Sequence, residues 1–157
     1  MKYLTMILIL IMLALPVQAF AQTTPYDNPD SPVDLLASYY NAINLHDYQR
    51  AYGYWGSPTE SYNEFASGFA ETVSAQLIVQ PPDRIGLAAG SQYAAIPTVL
   101  IATHTDGSVH TFAGCFTTRK SNLIPEEDVW HLYTADLVEV SNTASIPTLL
   151  AEACPVG

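Results

Sequence analysis

The stretch PVDLLASYYNAINLHDYQRAYGYWGSPTESYNEFASGF, from Pro32 to Phe69, is the most informative part of this chain of 157 residues. It predicts three consecutive amphipathic helices. The first helix begins with a capping hydroxyl at Ser31, a proline at the first helical position and an acid at Asp34. Apolar residues then recur at intervals of three and four, which predicts one buried stripe: Val33, Leu36, Tyr40 and Ile43.

The next two helices carry the same kind of start signal. Asp47 can cap a short helix that stops at Gly56. Ser57, Pro58 and Glu60 then repeat the cap, the proline and the capping-box acid. Each helix has an apolar face at helical spacing: Tyr48, Ala51, Tyr52 and Trp55 in the second, and Tyr62, Phe65, Phe69 and Val73 in the third.

The rest of the chain is typical of an antiparallel sheet. VSAQLIV, residues 73–79, is a strand that ends before Pro81 and Pro82, because proline cannot donate to a sheet ladder. Asp106 and Gly107 lie between apolar runs and predict a two-residue type I′ hairpin. That turn would set these pairs: His104 with Val109, Thr103 with His110, Ile101 with Phe112, Val99 with Gly114 and Thr98 with Cys115.

This register assigns the two faces of the hairpin. The face predicted to meet the core carries Val99, Ile101, Phe112 and Phe116. The opposite face carries Thr98, Ala102, Thr111, Cys115 and Thr117. VWHLYTADLVEV, residues 129–140, predicts a last long strand, and IPTLLAEAC, residues 146–154, predicts a short helix. Because Cys115 points away from the core, Cys154 reaches it only if this tail folds back across the opposite face.

Cys115 and Cys154 are the two cysteines of the chain. An even number of cysteines in a secreted chain predicts a disulfide. The alternatives are a redox pair or a metal site, but the two residues lack C-x-x-C spacing and have no nearby histidine. We therefore expect a disulfide that clips the C-terminal tail.

Residues 1–21 have the pattern of a secretory signal. Lys2 precedes a run of about thirteen apolar residues, too few to span a bilayer, which needs about twenty. Small residues at Ala19 and Ala21 predict cleavage after Ala21, so that Gln22 is the first mature residue. The predicted location is secreted or on the periplasmic or extracellular side of the envelope, with no stable membrane anchor after cleavage.

Domain organisation and charge narrow the class of partner. Residues 22–31 are polar and rich in proline, which predicts a flexible leader, and residues 32–157 have the length of a single domain. Loss of Lys2 leaves 4 Lys and Arg residues against 15 Asp and Glu residues, a net charge of −11. This charge argues against nucleic acid and anionic membrane surfaces as partners.

The order of a helix, a short helix, a helix and a curved antiparallel meander resembles the nuclear transport factor 2-like superfamily. Its members are α+β cones in which three helices pack on a curved sheet, with a pocket between them. The resemblance is carried by YYNAINLHDYQRAYGYW, ESYNEFASGF, DGSVHTFAGCF, and Trp130 with Leu132. The spacing Y-x-x-A-I-N-x-x-D-Y-x-x-A-Y further resembles small exported domains, including the domain that precedes the transpeptidase in some penicillin-binding proteins. This resemblance implies a non-catalytic binding or accessory role.

The same superfamily contains ketosteroid isomerases and polyketide cyclases, so a small-molecule isomerase or cyclase is the alternative function. Tyr39 falls about where the isomerases carry an oxyanion-stabilising tyrosine. Such an enzyme also needs a carboxylate base and a second acidic donor in an apolar pocket. The segment after Trp55 reads GSPTES, and the predicted core face of the sheet carries no acid. Tyr39 is therefore predicted to be a packing or pocket residue.

The histidines and acids do not predict a metal site. His104 and His110 flank the hairpin but project to opposite faces in the predicted register, and His46 lies at a helix break. His131 alternates with Trp130, so it is exposed if Trp130 is buried. A short acid run follows the hairpin: Glu126, Glu127 and Asp128. It lacks the alternating oxygen ligands of a calcium loop. We expect no metal and no other cofactor.

Nine tyrosines outside the signal and two tryptophans supply an apolar wall with hydroxyl groups. Such a wall suits a small apolar ligand or a filled core. The candidate pocket residues are Tyr39, Tyr40, Trp55, Phe65, Phe69, Ile101, Phe112, Phe116 and Trp130. The sequence thus predicts an exported monomer or homodimer that binds a small apolar ligand or an envelope protein and is not an enzyme.

Overall fold

Three helices form the first part of the fold, as predicted. In the computed structural model, which describes residues 24–123 and 128–154, they are α1 (Pro32–Asn44), α2 (Tyr48–Gly53) and α3 (Tyr62–Gly68). Ser31 caps α1 by accepting a hydrogen bond from the Asp34 N–H at 3.1 Å, and Asp47 caps α2 through its own carboxylate. None of the helices in these two ranges combines the length and the hydrophobicity of a membrane span.

Helix α3 begins later and is shorter than the sequence pattern predicted. Its cap is Ser61 rather than Ser57, because Ser61 and Glu64 form a reciprocal capping box. In that box the Ser61 N–H donates to Glu64 Oε2 at 2.9 Å. The helix ends at Gly68, so Val73 belongs to the first strand and not to the helical stripe.

A five-stranded antiparallel sheet packs against the helices. Its strands are β1 (Thr72–Val79), β2 (Ile85–Ala88), β3 (Ser91–His104), β4 (Val109–Ser121) and β5 (His131–Val140). The strand order is β1-β3-β4-β5, and β2 pairs with the beginning of β3. A fourth helix, α4 (Ile146–Glu152), follows β5. The α+β class is confirmed.

The hairpin between β3 and β4 does not have the predicted two-residue turn. A type I′ turn needs a positive φ at both central residues, but only Gly107 has one, at 82°, and Asp106 does not. The His104 N–H donates to the Ser108 carbonyl at 2.9 Å, which closes a three-residue loop ending in the left-handed glycine. The observed pairs are Thr103 with Val109, Ala102 with His110, Leu100 with Phe112, Thr98 with Gly114 and Pro97 with Cys115.

This one-residue shift exchanges the two faces of β3. The side of β3 that faces the helices carries Ala94, Ile96, Thr98, Leu100 and Ala102. The predicted core residues Val99 and Ile101 therefore lie on the opposite face. Strand β4 keeps its predicted assignment, because Phe112 and Phe116 face the helices and Cys115 faces away.

A disulfide joins Cys115 in β4 to Cys154 just after α4, as predicted. The Cα atoms of the two residues are 4.9 Å apart. Helix α4 contacts β3 and β4 on the face opposite to α1, α2 and α3. None of the α4 side chains is fully buried, and the disulfide ties the end of this helix to β4.

Residues 24–30, predicted to be part of a flexible leader, lie against α1 and α2 and form hydrogen bonds with them. The Asn28 N–H donates to Ser38 Oγ at 2.8 Å, and Ser38 is completely buried. The Arg50 guanidinium donates to the Tyr26 carbonyl, also at 2.8 Å. Polar contacts from two helices therefore hold this segment, which has no regular secondary structure.

Gly114 lies where the backbone of β5 passes very close to β4. A Cβ added at Gly114 would be 1.9 Å from the carbonyl oxygen of Asp136, a backbone atom that cannot rotate away. We predict that Gly114→Ala lowers the free energy of unfolding by about 2–3 kcal/mol. Gly86→Ala is a matched control, since its added Cβ would meet nothing closer than 3.8 Å. Urea denaturation of both variants measures the difference, and equal midpoints would contradict this explanation.

Candidate functional site

Aromatic side chains occupy the space between the helices and the sheet. Tyr39 of α1 lies among four other rings, with centroid distances of 4.9 Å to Tyr40, 6.2 Å to Trp55, 6.4 Å to Phe65 and 6.4 Å to Phe116. Most of these contacts are edge-to-face or tilted, which is favourable for aromatic rings. Apart from Trp55, each of these rings is buried. The predicted pocket is therefore a packed aromatic cluster.

The structure brings eight of the nine candidate pocket residues into this cluster. Five belong to the buried core: Tyr39, Tyr40, Phe65, Phe116 and Trp130. Three are partly buried and pack against it: Trp55, Phe69 and Phe112. Ile101 is the exception, because the register shift places it on the other face of the sheet.

Burial raises the pKa of the Tyr39 hydroxyl well above its usual value. The nearby Trp55 indole opposes part of this shift in pKa, and the Glu60 carboxylate adds to it. Trp55 Nε1 is itself buried and has no hydrogen-bond partner among the described residues, so the indole and the Tyr39 hydroxyl are close without being bonded. Burial also raises the pKa of Tyr40. Both hydroxyls therefore stay protonated at physiological pH.

The two buried tyrosines predict a loss of stability at alkaline pH. In the unfolded chain they release protons near pH 10, whereas in the folded protein their raised pKa keeps them protonated. The unfolded state then binds fewer protons, so the free energy of unfolding falls as the pH rises above about 10. Tyr39→Phe and Tyr40→Phe should each flatten this fall, measured by urea denaturation from pH 8 to 11. Between pH 6 and 8, the free energy of unfolding of each variant should change with pH as it does in the wild type. If the fall in this free energy at alkaline pH were as steep in the variants as in the wild type, the prediction would be contradicted.

A small cleft opens beside this cluster at the surface. It has a volume of about 40 Å³ and is lined by Tyr52, Trp55, Pro58, Thr59, Glu60 and Phe65. Tyr39 packs against two of the lining residues, Trp55 and Phe65. The Glu60 carboxylate and the Trp55 indole therefore line the same small cleft, with Tyr39 packed against the indole ring.

A larger cleft, of about 90 Å³, lies at the β4–β5 edge of the sheet. Its lining residues are Gly56, Ser57, Arg119, Ser121, His131, Leu132 and Tyr133. One wall is the segment after α2, which is fixed to β5: the Leu132 N–H donates to the Tyr54 carbonyl at 2.8 Å, and the Gly56 N–H donates to the Leu132 carbonyl at 3.1 Å. Arg119 Nε donates to Ser91 Oγ at 3.1 Å. This cleft is polar and holds one permanent positive charge.

The sequence pattern did not single out this cleft. Arg119 and His131 are direct partners across β4 and β5, and Gly56 meets them from a segment far away in the chain. The sequence did contain one hint, since Arg119 is one of only four cationic side chains outside the predicted signal peptide. Sequence spacing alone could not connect it to Gly56 or Ser57.

His104 and His110 lie on the same face of the hairpin, contrary to prediction. Their rings stack with centroids 4.6 Å apart, because Ala102 pairs with His110. His110 Nδ1 is 2.7 Å from Glu139 Oε1, and its Nε2 is 3.0 Å from Ser108 Oγ, so both ring nitrogens have partners. In the described parts of the chain, no cluster of three or more histidine, cysteine or acidic side chains could hold a metal ion.

The remaining predicted positions are spread over the surface. His46 lies between α1 and α2 with a positive φ of 56°, and His131 is partly buried beside the buried Trp130. Asp128 forms a salt bridge with Lys120 at 2.8 Å. Glu126, Glu127 and the predicted signal, residues 1–21, lie outside the described residues.

No protein-family model and no curated protein matches this sequence. Matches among solved structures include the following two. A proposed aromatic ring hydroxylase from Novosphingobium aromaticivorans superposes with a TM-score of 0.52 and 12% identity, over 69% of this chain and 90% of that one. A conserved protein from Planctomyces limnophilus gives a TM-score of 0.49 and 15% identity, over 68% of this chain and 92% of that one. At 12% identity, the first match shows a shared α+β fold and nothing about activity.

Proposed function

We propose that this protein is an exported accessory domain of the nuclear transport factor 2-like fold, which binds a partner and does not catalyse a reaction. The filled cone is the observation that carries the proposal. Aromatic rings occupy the space between helices and sheet in which a small-molecule enzyme of this fold would hold its substrate. Binding would then take place on the outside of the cone.

Two further observations support this function. The buried polar side chains in the described ranges are serines and threonines, with no aspartate or glutamate among them. A carboxylate base with a raised pKa needs burial or a neighbouring like charge, so none of these residues suits that role. The disulfide and the signal pattern in residues 1–21 fit an oxidising compartment.

An uncharged apolar dye tests whether the cone is filled. We expect N-phenyl-1-naphthylamine to show no saturable fluorescence increase with the purified protein, since aromatic rings of the described residues occupy the space between the helices and the sheet. Saturable binding that Phe116→Trp abolishes would instead favour a small apolar ligand inside the cone.

Mass spectrometry of the exported protein should give the mass of a chain that begins at Gln22.

Cross-linking in intact cells of the native host tests the accessory role. A defined adduct with an envelope protein supports the proposal, and no adduct in any growth condition argues against it. The matched control is the protein expressed without residues 1–21, which should stay in the cytoplasm and give no such adduct.

An isomerase or cyclase is the second candidate, favoured by the surface cleft beside Trp55. Trp55, whose Nε1 has no hydrogen-bond partner among the described residues, lines this cleft with the exposed Glu60, so the indole could donate to a developing enolate with Glu60 as base. Tyr39 packs against the Trp55 ring. Against it, Trp55 Nε1 is buried, Tyr39 is not among the residues that line the cleft, and Glu60 is exposed to solvent. Conversion of a β,γ-unsaturated ketone to its conjugated isomer, abolished in Glu60→Gln and slowed in Tyr39→Phe, would establish this activity.

A further inference from the structure

Arg119 is a partly buried cation that has no acidic partner within residues 24–123 and 128–154. The other cations of these ranges differ from it. Arg50 pairs with Asp47 at 2.9 Å, Lys120 pairs with Asp128 at 2.8 Å, and Arg84 is exposed to solvent. The chain carries 15 acidic residues and a net charge of −10, yet none of the described ones lies against Arg119. An anion supplied from outside would complete the site.

The guanidinium is held in place for such a ligand. Its Nε donates to Ser91 Oγ at 3.1 Å, and Ser91 is only 2% exposed. This bond fixes one edge of a planar group, and the two terminal nitrogens of Arg119, which lines the cleft, have no hydrogen-bond partner among the described residues. Two parallel N–H donors on one plane match the two oxygens of a carboxylate.

The surroundings of Arg119 favour a single negative charge with an apolar group attached. The cleft contains one permanent positive charge in an acidic protein, so a doubly charged phosphate would meet more repulsion than a carboxylate. Tyr133 lines the cleft, is 47% exposed and packs edge-on against Tyr93 with ring centroids 5.7 Å apart. Its ring gives the apolar part of a ligand a surface to pack on.

We infer that this cleft binds a small organic carboxylate, either a free acid or the C-terminal carboxylate of a peptide, with Arg119 as the anchoring residue. Ser57 and His131 on the other walls supply further hydrogen-bonding groups. The inference rests on the proposed function, since it names the ligand class of a binding domain.

Titration of the protein with phenylacetate tests the inference, with binding monitored by two-dimensional NMR or by calorimetry. We expect a Kd on the order of 1 mM for so small a ligand. Phenylacetamide has the same shape without the charge and should bind at least about tenfold more weakly. Arg119→Gln should weaken phenylacetate binding by a similar factor, while Arg84→Gln makes the same charge change at an exposed site and should leave it unchanged.

A second variant tests the same cleft in case Arg119→Gln unfolds the protein. A Cβ at Gly56 would lie 3.2 Å from His131 Cβ, so Gly56→Val should narrow the cleft and reduce binding while Arg119 stays in place. Peptides ending in phenylalanine, with a free or an amidated C-terminus, separate the two sources of carboxylate. Binding of phenylacetate or of the free-acid peptide supports the inference.

Several results would overturn it: equal binding of phenylacetate and phenylacetamide, an unchanged Kd in Arg119→Gln, or an equal loss in Arg84→Gln. Inorganic phosphate binding more tightly than acetate would also refute the preference for a single charge. None of these outcomes bears on the cell-envelope cross-linking experiment, so the two proposals can fail separately.

Discussion

Replacing Phe116 with alanine should lower the free energy of unfolding by about 3–5 kcal/mol, the usual cost of removing a large aromatic side chain from a packed core. Phe116 is 2% exposed, and its ring centroid lies 6.1 Å from that of Tyr40 and 6.4 Å from that of Tyr39. A domain of this size is stable by only about 5–15 kcal/mol in total, so the variant should be folded but marginal. Urea denaturation of the variant and the wild type measures the loss.

Phe112→Ala is the matched control for this substitution. Phe112 lies on the same face of β4 but is only partly buried, so its removal should cost clearly less. The cavity left by Phe116→Ala should also bind indole, and excess indole should restore part of the lost stability by mass action. If the two alanine variants were equally stable, the aromatic cluster between the helices and the sheet would not be the packed centre of the fold.

The helices could be predicted because their start signals are local. Ser31 and Asp47 each lie directly before a helix and make the cap that their residue type predicts. The start of α3 was misplaced because the spacing S-x-x-E occurs twice in succession, at Ser57 and again at Ser61. Both serines satisfy the same local rule, and the sequence alone did not distinguish them.

The register of the hairpin could not be read from its turn residues alone. Asp106 and Gly107 fit a two-residue loop, but with Thr105 they also fit a three-residue loop in which only the glycine is left-handed. The pattern of β3 did not resolve this choice, because the strand is covered on both faces. Ile96 packs toward the helices and Val99 faces the other way, and both are completely buried. A strand buried on two sides has no alternation of apolar and polar residues.

The aromatic residues between the helices and the sheet could be predicted from the sequence, whereas the polar cleft could not. Aromatic residues at helical and strand spacing indicated a cluster, and most of them meet around Tyr39. Arg119 carries no such periodic signal. Its place in the cleft depends on its partner across the sheet, His131, and on the loop with Gly56 and Ser57, which comes from the helical half of the chain. Contacts of this kind exist only after the sheet has formed.

Removing the disulfide with the paired substitutions Cys115→Ser and Cys154→Ser should lower the free energy of unfolding by about 4 kcal/mol. The bridge closes a loop with a sequence separation of 39, which restricts the unfolded chain. Wild-type protein treated with a reductant should show the same loss, which separates the missing bond from the effects of the serines. If a thiol reagent modified both cysteines in the native, non-reduced protein, the bridge itself would be refuted.

Besides this loss of global stability, we expect local detachment of α4, because this helix has no fully buried side chain. Ordering its backbone costs about 1–2 kcal/mol per residue, which partly exposed contacts offset only while the bridge holds the helix against the sheet. In the paired serine variant, hydrogen exchange of residues 146–152 should therefore approach the rate of an unfolded peptide, while α1 stays protected. Detachment would also uncover Val99, which lies on the face of β3 that α4 covers. Continued protection of α4 in that variant would mean that noncovalent packing, and not the disulfide, anchors the tail.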